Sequence, residues 1–364
     1  MHESTSYTSL QSVRTHSHNA DVSGRAASPS PSLSASALPT LLALAYVIVG
    51  YLAGFSLLAL HWPLMLPGIL LLAHSLIIAA FLLHECTHQS LFSRRPGNVD
   101  PHVRLGLVLA WITGACYSPF AKLREKHLRH HFERADIVAV DYRALLLRHP
   151  LLRRLVEVGQ WCCLPAIEIL LHVWTIVVPF IHGNREQQCR VAIVVAVRAT
   201  VMALLISAFG VQMLFGYVLA YGLFITVMGF MDAYQHQYLL LKSLQRPLRE
   251  SPTRDHTQFA RDYFSRDYEQ AHTFSNLISR RWPWLNLLVL NFCYHNAHHY
   301  RPGVPWYQLP ALHNEMNSHC VVPFKDQSRH FFSYRVERVM ALPTDDLSKS
   351  RAVGAGGVSF LTAL

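Results

Sequence analysis

His295-Asn296-Ala297-His298-His299 follows directly on the apolar run Trp284 to Cys293. The same HxxHH spacing recurs at His127-Leu128-Arg129-His130-His131, and His84-Glu85-Cys86-Thr87-His88 sets an HxxxH at the end of a long hydrophobic segment. Residues three and four apart share a helix face, so His127, His130 and His131 can present three imidazoles at once, and His84 with His88 two more. Three such clusters beside membrane-length segments point to one polynuclear metal site.

Composition agrees. The 364 residues are 51% hydrophobic and only 15% charged, with a positive mean hydropathy, which places the chain among integral membrane proteins. Histidine is the outlier at 23 residues, and the formal charge of +10 comes from short Lys and Arg blocks. Beside apolar spans such blocks mark cytoplasmic loops. They are broken by acids and lack interleaved aromatics, so no nucleic-acid partner is expected. The cysteines at 86, 116, 162, 163, 189, 293 and 320 contain no CxxC, which suits neither a zinc ribbon nor a secreted disulfide framework.

Outward from the clusters, the apolar runs define the fold class. Residues 1–37 are rich in Ser, Thr, His and Ala without apolar periodicity, and are expected to be a disordered tail. Leu38 to Leu60 and Pro63 to Leu83 are each about 30 Å long as helices and match a bilayer core. The break at His61-Trp62-Pro63 is uncharged and suits a hairpin on the non-cytoplasmic side, which returns the chain to the cytoplasmic face at His84. Leu105 to Tyr117 is too short for an ordinary span and is expected to be interfacial or re-entrant.

Val191 to Phe209 and Val211 to Met231 are expected to cross. If His131 and His236 share a compartment the crossings between them must be even, so 161 to 180 is placed in the interface or in a re-entrant position. The segment Lys242 to Arg281, with eight Lys or Arg, continues the positive-inside bias. The expected fold is thus all-α and integral to the membrane: about four transmembrane helices, interfacial or re-entrant helices and a cytoplasmic histidine-rich cap. One domain is expected over 38–335, followed by a polar tail over 336–364.

Imidazole suits iron, copper or zinc, and two ions need roughly eight to ten donors if water or oxygen completes each sphere. Two donors from the first cluster, three from each of the others and His236 at the end of the last long helix make nine; His272 competes with His236. Glu85, Glu133, Asp136 and Asp232 lie beside the clusters, where they would either orient imidazoles or serve as ordinary surface carboxylates. A metal-binding or transporting membrane protein is the alternative of another class, but a transporter places ligands near the bilayer midplane, whereas these clusters lie at helix ends.

The three clusters resemble the three histidine boxes of the membrane fatty-acid desaturase superfamily, and Asp232-Ala233-Tyr234-Gln235-His236 resembles the extra histidine before the third box. The likeness runs from about residue 40 to 315 and includes Leu309-Pro310 with His313 after Val304-Pro305-Trp306. The resemblance implies a catalytic centre of two iron ions that uses O2 and two electrons to oxidise an unactivated C–H bond of a lipid chain. It implies His84, His88, His127, His130, His131, His236, His295, His298 and His299 as the iron ligands. The first cluster has three intervening residues where acyl-CoA Δ9 enzymes usually have four. The third begins with His where front-end desaturases typically have Gln, and no fused cytochrome b5 motif is present. The chain carries neither a Gly-rich dinucleotide motif nor a cysteine set for an iron–sulfur cluster. A separate donor of ferredoxin or cytochrome b5 type is therefore expected, with the basic loops at 122–154 and 242–281 serving either to dock it or to bind anionic membrane lipids. Desaturation of a fatty acyl chain is the favoured reaction. Hydroxylation or ketolation of an acyl chain, sphingoid base or carotenoid is the near alternative.

Overall fold

A computed structural model describes residues 37–60, 62–92, 100–232, 235–236, 238, 241–244, 265–316, 320–323, 326, 328 and 361–363. The expected N-terminal tail before Ala37, most of the expected tail after residue 335, and residues 245–264 of the second basic segment lie outside them. Among the described residues, four helices are long and apolar enough to cross a membrane: α1 (Ala37–Ala59), α2 (Met65–His88), α8 (Arg185–Phe209) and α9 (Gln212–Asp232). These are the four runs the hydropathy pattern marks as spans.

Their packing follows from where the small residues sit. α1 buries Thr40, Ala43, Val47, Gly50, Gly54 and Leu58, one stripe at a spacing of three and four. A Cβ on Gly54 would stand 2.9 Å from the Cβ of Leu72, so this Gly-x-x-x-Gly stripe lets the α1 and α2 backbones approach closely. α2 is central: 67% of its most apolar window is buried, against 22% for α1 and 11% for α8. It packs on α1, α9, α3 (Pro101–Thr113) and α4 (Phe120–Glu133).

α3 and α4 form a hairpin. Asp100 caps α3 by accepting from the His102 N–H at 2.9 Å, with Pro101 as the first helical residue. The helix ends at Gly114 (φ +84), which adopts the left-handed conformation at no steric cost. At this turn the Trp111 carbonyl accepts from the Arg198 guanidinium, and the Thr113 carbonyl accepts from the Tyr221 hydroxyl at 3.1 Å. Arg198 and Tyr221 stand near the middles of α8 and α9. The hairpin tip therefore lies level with the centre of the long helices, which is the re-entrant alternative for 105–117. Non-helical backbone at that depth needs partners from protein, and Arg198 and Tyr221 supply them.

The segment between the second cluster and α8 forms α5 (Tyr142–Arg148), α6 (Pro150–Trp161) and α7 (Ala166–His182). The Glu168 carboxylate lies 3.4 Å from the point a Cβ on Gly229 would occupy, so α7 begins beside the end of α9. The α8–α9 hairpin, closed at Gly210, brings the start of α8 to that same side, and the end of α7 with it. The 17 residues of α7 accordingly begin and end on one side, as placed from the parity of crossings. On α6, Leu151, Leu155, Val158 and Trp161 form an exposed apolar ridge next to exposed Arg148 and Arg154. That is the pattern of a helix lying in a membrane surface.

Outside the helices, β1 (Asp136–Val138) and β2 (Leu241–Ser243) pair in parallel, with Asp136 opposite Leu241. This short pair ties the chain after α4 to the chain after His236. Ser265 then caps α10 (Arg266–His272), and a 3-10 turn over Pro283–Val289 leads to α11 (His295–Tyr300) and α12 (Leu309–Glu315). The apolar run before the third cluster is thus not one regular element. Leu290 (φ +49) and Asn291 (φ +57) turn the chain between the 3-10 turn and α11. Buried Asn286 holds that turn through the Ser279 backbone and, at 3.0 Å, the Tyr294 hydroxyl.

Candidate metal centre

The histidines come from helix ends that face one another. His84 and His88 occupy the last turn of α2, and His130 and His131 the last turn of α4, one turn beyond His127. Both helices stop at once, because Gln89 (φ +58) and Arg134 (φ +46) take the left-handed conformation. α11 contributes His295, His298 and His299. His236 follows α9 and is held by a bridge to Thr273, with the Phe274 N–H donating to the Gln235 carbonyl at 2.8 Å.

These nine side chains converge on two foci. His84, His88, His127, His131 and His298 surround one, and His130, His236, His295 and His299 the other; within each group the candidate ligand atoms lie within 4.8 Å of one another. Seven of the rings are buried, and His88 and His130 are half-buried. Ring nitrogens meet head-on: His88 Nε2 and His127 Nε2 at 2.6 Å, His295 Nε2 and His236 Nε2 at 2.8 Å, His236 Nε2 and His299 Nε2 at 2.9 Å. Facing lone pairs repel unless a proton or a cation lies between them. Both nitrogens of His298 are buried without a hydrogen-bond partner among the described residues, an arrangement costing about 1–3 kcal/mol for each unsatisfied group. A cation at each focus would satisfy both observations, so the residues fit a two-metal site. Nitrogen-only donors of this kind suit iron, copper or zinc.

The rings are oriented from behind. His130 Nδ1–H donates to the Ala135 carbonyl at 2.7 Å, which turns Nε2 toward His236. His299 Nδ1–H donates to Glu269 Oε1 at 3.0 Å, and Arg134 holds the other carboxylate oxygen at 3.1 Å. This is the carboxylate–histidine support common behind metal ligands. Burial pushes His127, His131, His236, His295 and His299 well below the usual imidazole range, and neighbouring imidazoles push the same way. It takes His130 to about 4 and His298 to about 3. Neutral rings keep the lone pair that a metal requires.

One wall of the site is apolar. Phe292 stacks on Phe81 with ring centres 4.5 Å apart, and lies 4.9 Å from His84 and 5.0 Å from His295. It excludes water from that side.

The structure separates His236 from His272. His272 stacks on Tyr268 at 4.1 Å, its Nδ1 hydrogen-bonds the Tyr268 carbonyl at 2.8 Å, and it joins neither focus. Of the acids beside the clusters, Glu85 accepts from Ser90 Oγ at 2.7 Å and from the Trp306 N–H at 3.1 Å, joining the first cluster to the chain after the third. Glu133 holds Arg129 and Lys242 rather than an imidazole. Glu269, which does hold one, carries no motif spacing that would single it out. Asn296 is a second such residue: its amide donates to the Thr273 carbonyl at 2.8 Å and fixes α11 against the segment bridged to His236.

Comparison with known proteins adds one match. The family described as fatty acid desaturase matches residues 60–325, more than two thirds of the chain and every one of the nine histidines. A search of curated proteins found none that matches the chain. The family implies an oxidoreductase performing desaturase- or hydroxylase-type oxidation of an acyl chain, and the histidine groups fit its metal dependence. With four membrane-length helices, two histidine foci and that match together, the chain belongs to the fatty acid desaturase family.

Proposed function

We propose that this protein desaturates a fatty acyl chain at the membrane surface, using O2, two iron ions held by the nine histidines and electrons from a separate redox protein. The division of nine imidazoles into groups of five and four, each closing on its own focus, is the observation that carries this reading. His84, His88, His127, His131 and His298 would hold one iron, and His130, His236, His295 and His299 the other. When bound, iron supplies the reductive activation of O2 needed to remove hydrogen from an unactivated C–H bond. The reaction balances as one CH2–CH2 unit, O2, two electrons and two protons giving one CH=CH unit and two waters.

The chain's own residues set the conditions. Glu269 and the Ala135 carbonyl keep His299 and His130 in the tautomer that leaves Nε2 free. The Phe81–Phe292 stack keeps bulk water from the first focus. A substrate methylene must then be held to within about an ångström, since misplacement at that scale decides whether a second hydrogen is removed or oxygen is added. The histidines gather at the ends of α2 and α9 on one side of the helix bundle, and the positive-inside pattern supports the cytoplasmic side. The exposed cations remaining on that side would meet an acidic electron donor of ferredoxin or cytochrome b5 type.

The test is the lipid profile of cells expressing the chain with a compatible donor, read by mass spectrometry against His298→Ala. A lipid lighter by two mass units and absent from the variant is the expected result. A gain of sixteen would make the protein a hydroxylase, and identical profiles with metal loaded and donor reducing would reject both.

A further inference from the structure

Leu361 and Ala363 belong to the main apolar core and Thr362 is buried between them, each about 1% exposed, although the stretch is expected from sequence to be a polar tail. Their main chain is gripped at two points. Ser118 Oγ accepts from the Ala363 N–H at 2.9 Å and donates to the Ala363 carbonyl, and Lys126 Nζ donates to the Thr362 carbonyl. Lys126 is 2% exposed, and among the described residues it meets no carboxylate. Burying an ammonium costs several kcal/mol unless it is paired, and a neutral carbonyl compensates this only in part. Lys126 immediately precedes His127 and lies one helix turn from His130, so this polar point is built into the wall of the metal centre.

A buried stretch that sets the apolar side chains of Leu361 and Ala363 in the core and presents a carbonyl oxygen to Lys126 Nζ is also the outline of an acyl chain and its carboxyl or ester head. We infer that Leu361–Ala363 occupy the acyl pocket, with Lys126 and Ser118 as the anchor for the substrate's carboxyl-derived oxygen. The segment and the substrate then exclude one another. This rests on the acyl-chain reading above and adds to it the position of the pocket and the residue that recognises the head.

The test uses the full chain carrying Thr362→Cys, purified in detergent, with maleimide labelling at position 362 followed by peptide mass spectrometry as oleate is added. Displacement should raise labelling at 362 by at least about five-fold, as a competing ligand shifts a two-state equilibrium. Buried Cys86 and Cys293 should stay protected. Adding Lys126→Met should remove the oleate effect. Unchanged labelling at 362, or a rise shared by Cys86 and Cys293, overturns the inference, the latter because it reports general loosening. Labelling needs no turnover. Product formation without displacement would sink this inference alone, and displacement without product would leave it standing while rejecting the desaturase reading.

Discussion

Glu269 and His299 are 3.0 Å apart, and the carboxylate reaches Nδ1 while Nε2 of the same ring meets His236 Nε2 at 2.9 Å. Glu269 is therefore placed to fix which nitrogen faces the second focus, and Arg134 fixes Glu269 in turn. Glu269→Gln should weaken metal retention at the four-histidine focus by about 10–100-fold, the usual cost of losing such support. Metal content after timed exposure to a chelator measures it, and loss of one equivalent ahead of the other is the expected pattern. Equal retention in variant and parent would remove Glu269 from the site.

His236 and His272 separate in the same way. His236→Ala should lower bound metal and abolish turnover, because it takes one of four donors from its focus. His272→Ala should leave metal content unchanged and cost only the stacking on Tyr268, about 0.5–1.5 kcal/mol. Metal loss in the second variant alone would exchange their roles.

What the sequence made legible was whatever depends on local spacing. The limits of α1, α2, α8 and α9 follow from unbroken apolar runs, and the sharing of a helix face by His127, His130 and His131 follows from helical geometry. The depth of the α3–α4 hairpin did not follow, because it is set by Arg198 and Tyr221, some ninety residues and more from the carbonyls they cap. Glu269 was hidden for the same reason: thirty residues separate it from His299, and one acid in a polar stretch has no period. Leu361–Ala363, two apolar residues around a threonine, are too short to show any periodicity, and only the core around them reveals their place.

The metal-free protein should lose stability in mild acid. His130 and His298 titrate near 4 and 3 in the folded chain, against about 6.5 when unfolded, so below that value the unfolded chain binds more protons. Both folded values are lowered by burial, so stability is flat above pH 6.5 with respect to these rings. It falls as pH drops toward 4, by up to about 1.4 kcal/mol per pH unit for each ring. Thermal melting in detergent across pH 4–8 measures this. Metal should raise the melting point most at pH 7 and progressively less toward pH 5, since protons compete for the same nitrogens. A melting point independent of pH below 6.5 would contradict the neutral-ring account.

Arg198 is the intramembrane charge with the clearest task. It stands thirteen residues into α8, over the Tyr117 ring, and donates to the Tyr217 hydroxyl at 3.1 Å and to the Trp111 carbonyl. The end of α3 carries partial negative charge and unsatisfied carbonyls, and no water is at hand there to relieve either. Arg198→Met should therefore destabilise the hairpin by about 1.5–3 kcal/mol, the range for a hydrogen bond to a charged group. Tyr221→Phe, which removes a neutral bond to the Thr113 carbonyl, should cost about 1 kcal/mol. Arg198→Lys should recover only part of the loss, because one ammonium does not span Trp111 and Tyr217 as the guanidinium fork does. The hairpin delivers His127, His130 and His131, so Arg198→Met should also loosen metal at both foci although the guanidinium is not among the candidate ligands. Melting curves and metal content measured on the same three variants decide this. Full recovery by Lys, or metal loss without any loss of stability, would mean that Arg198 does something other than cap the hairpin.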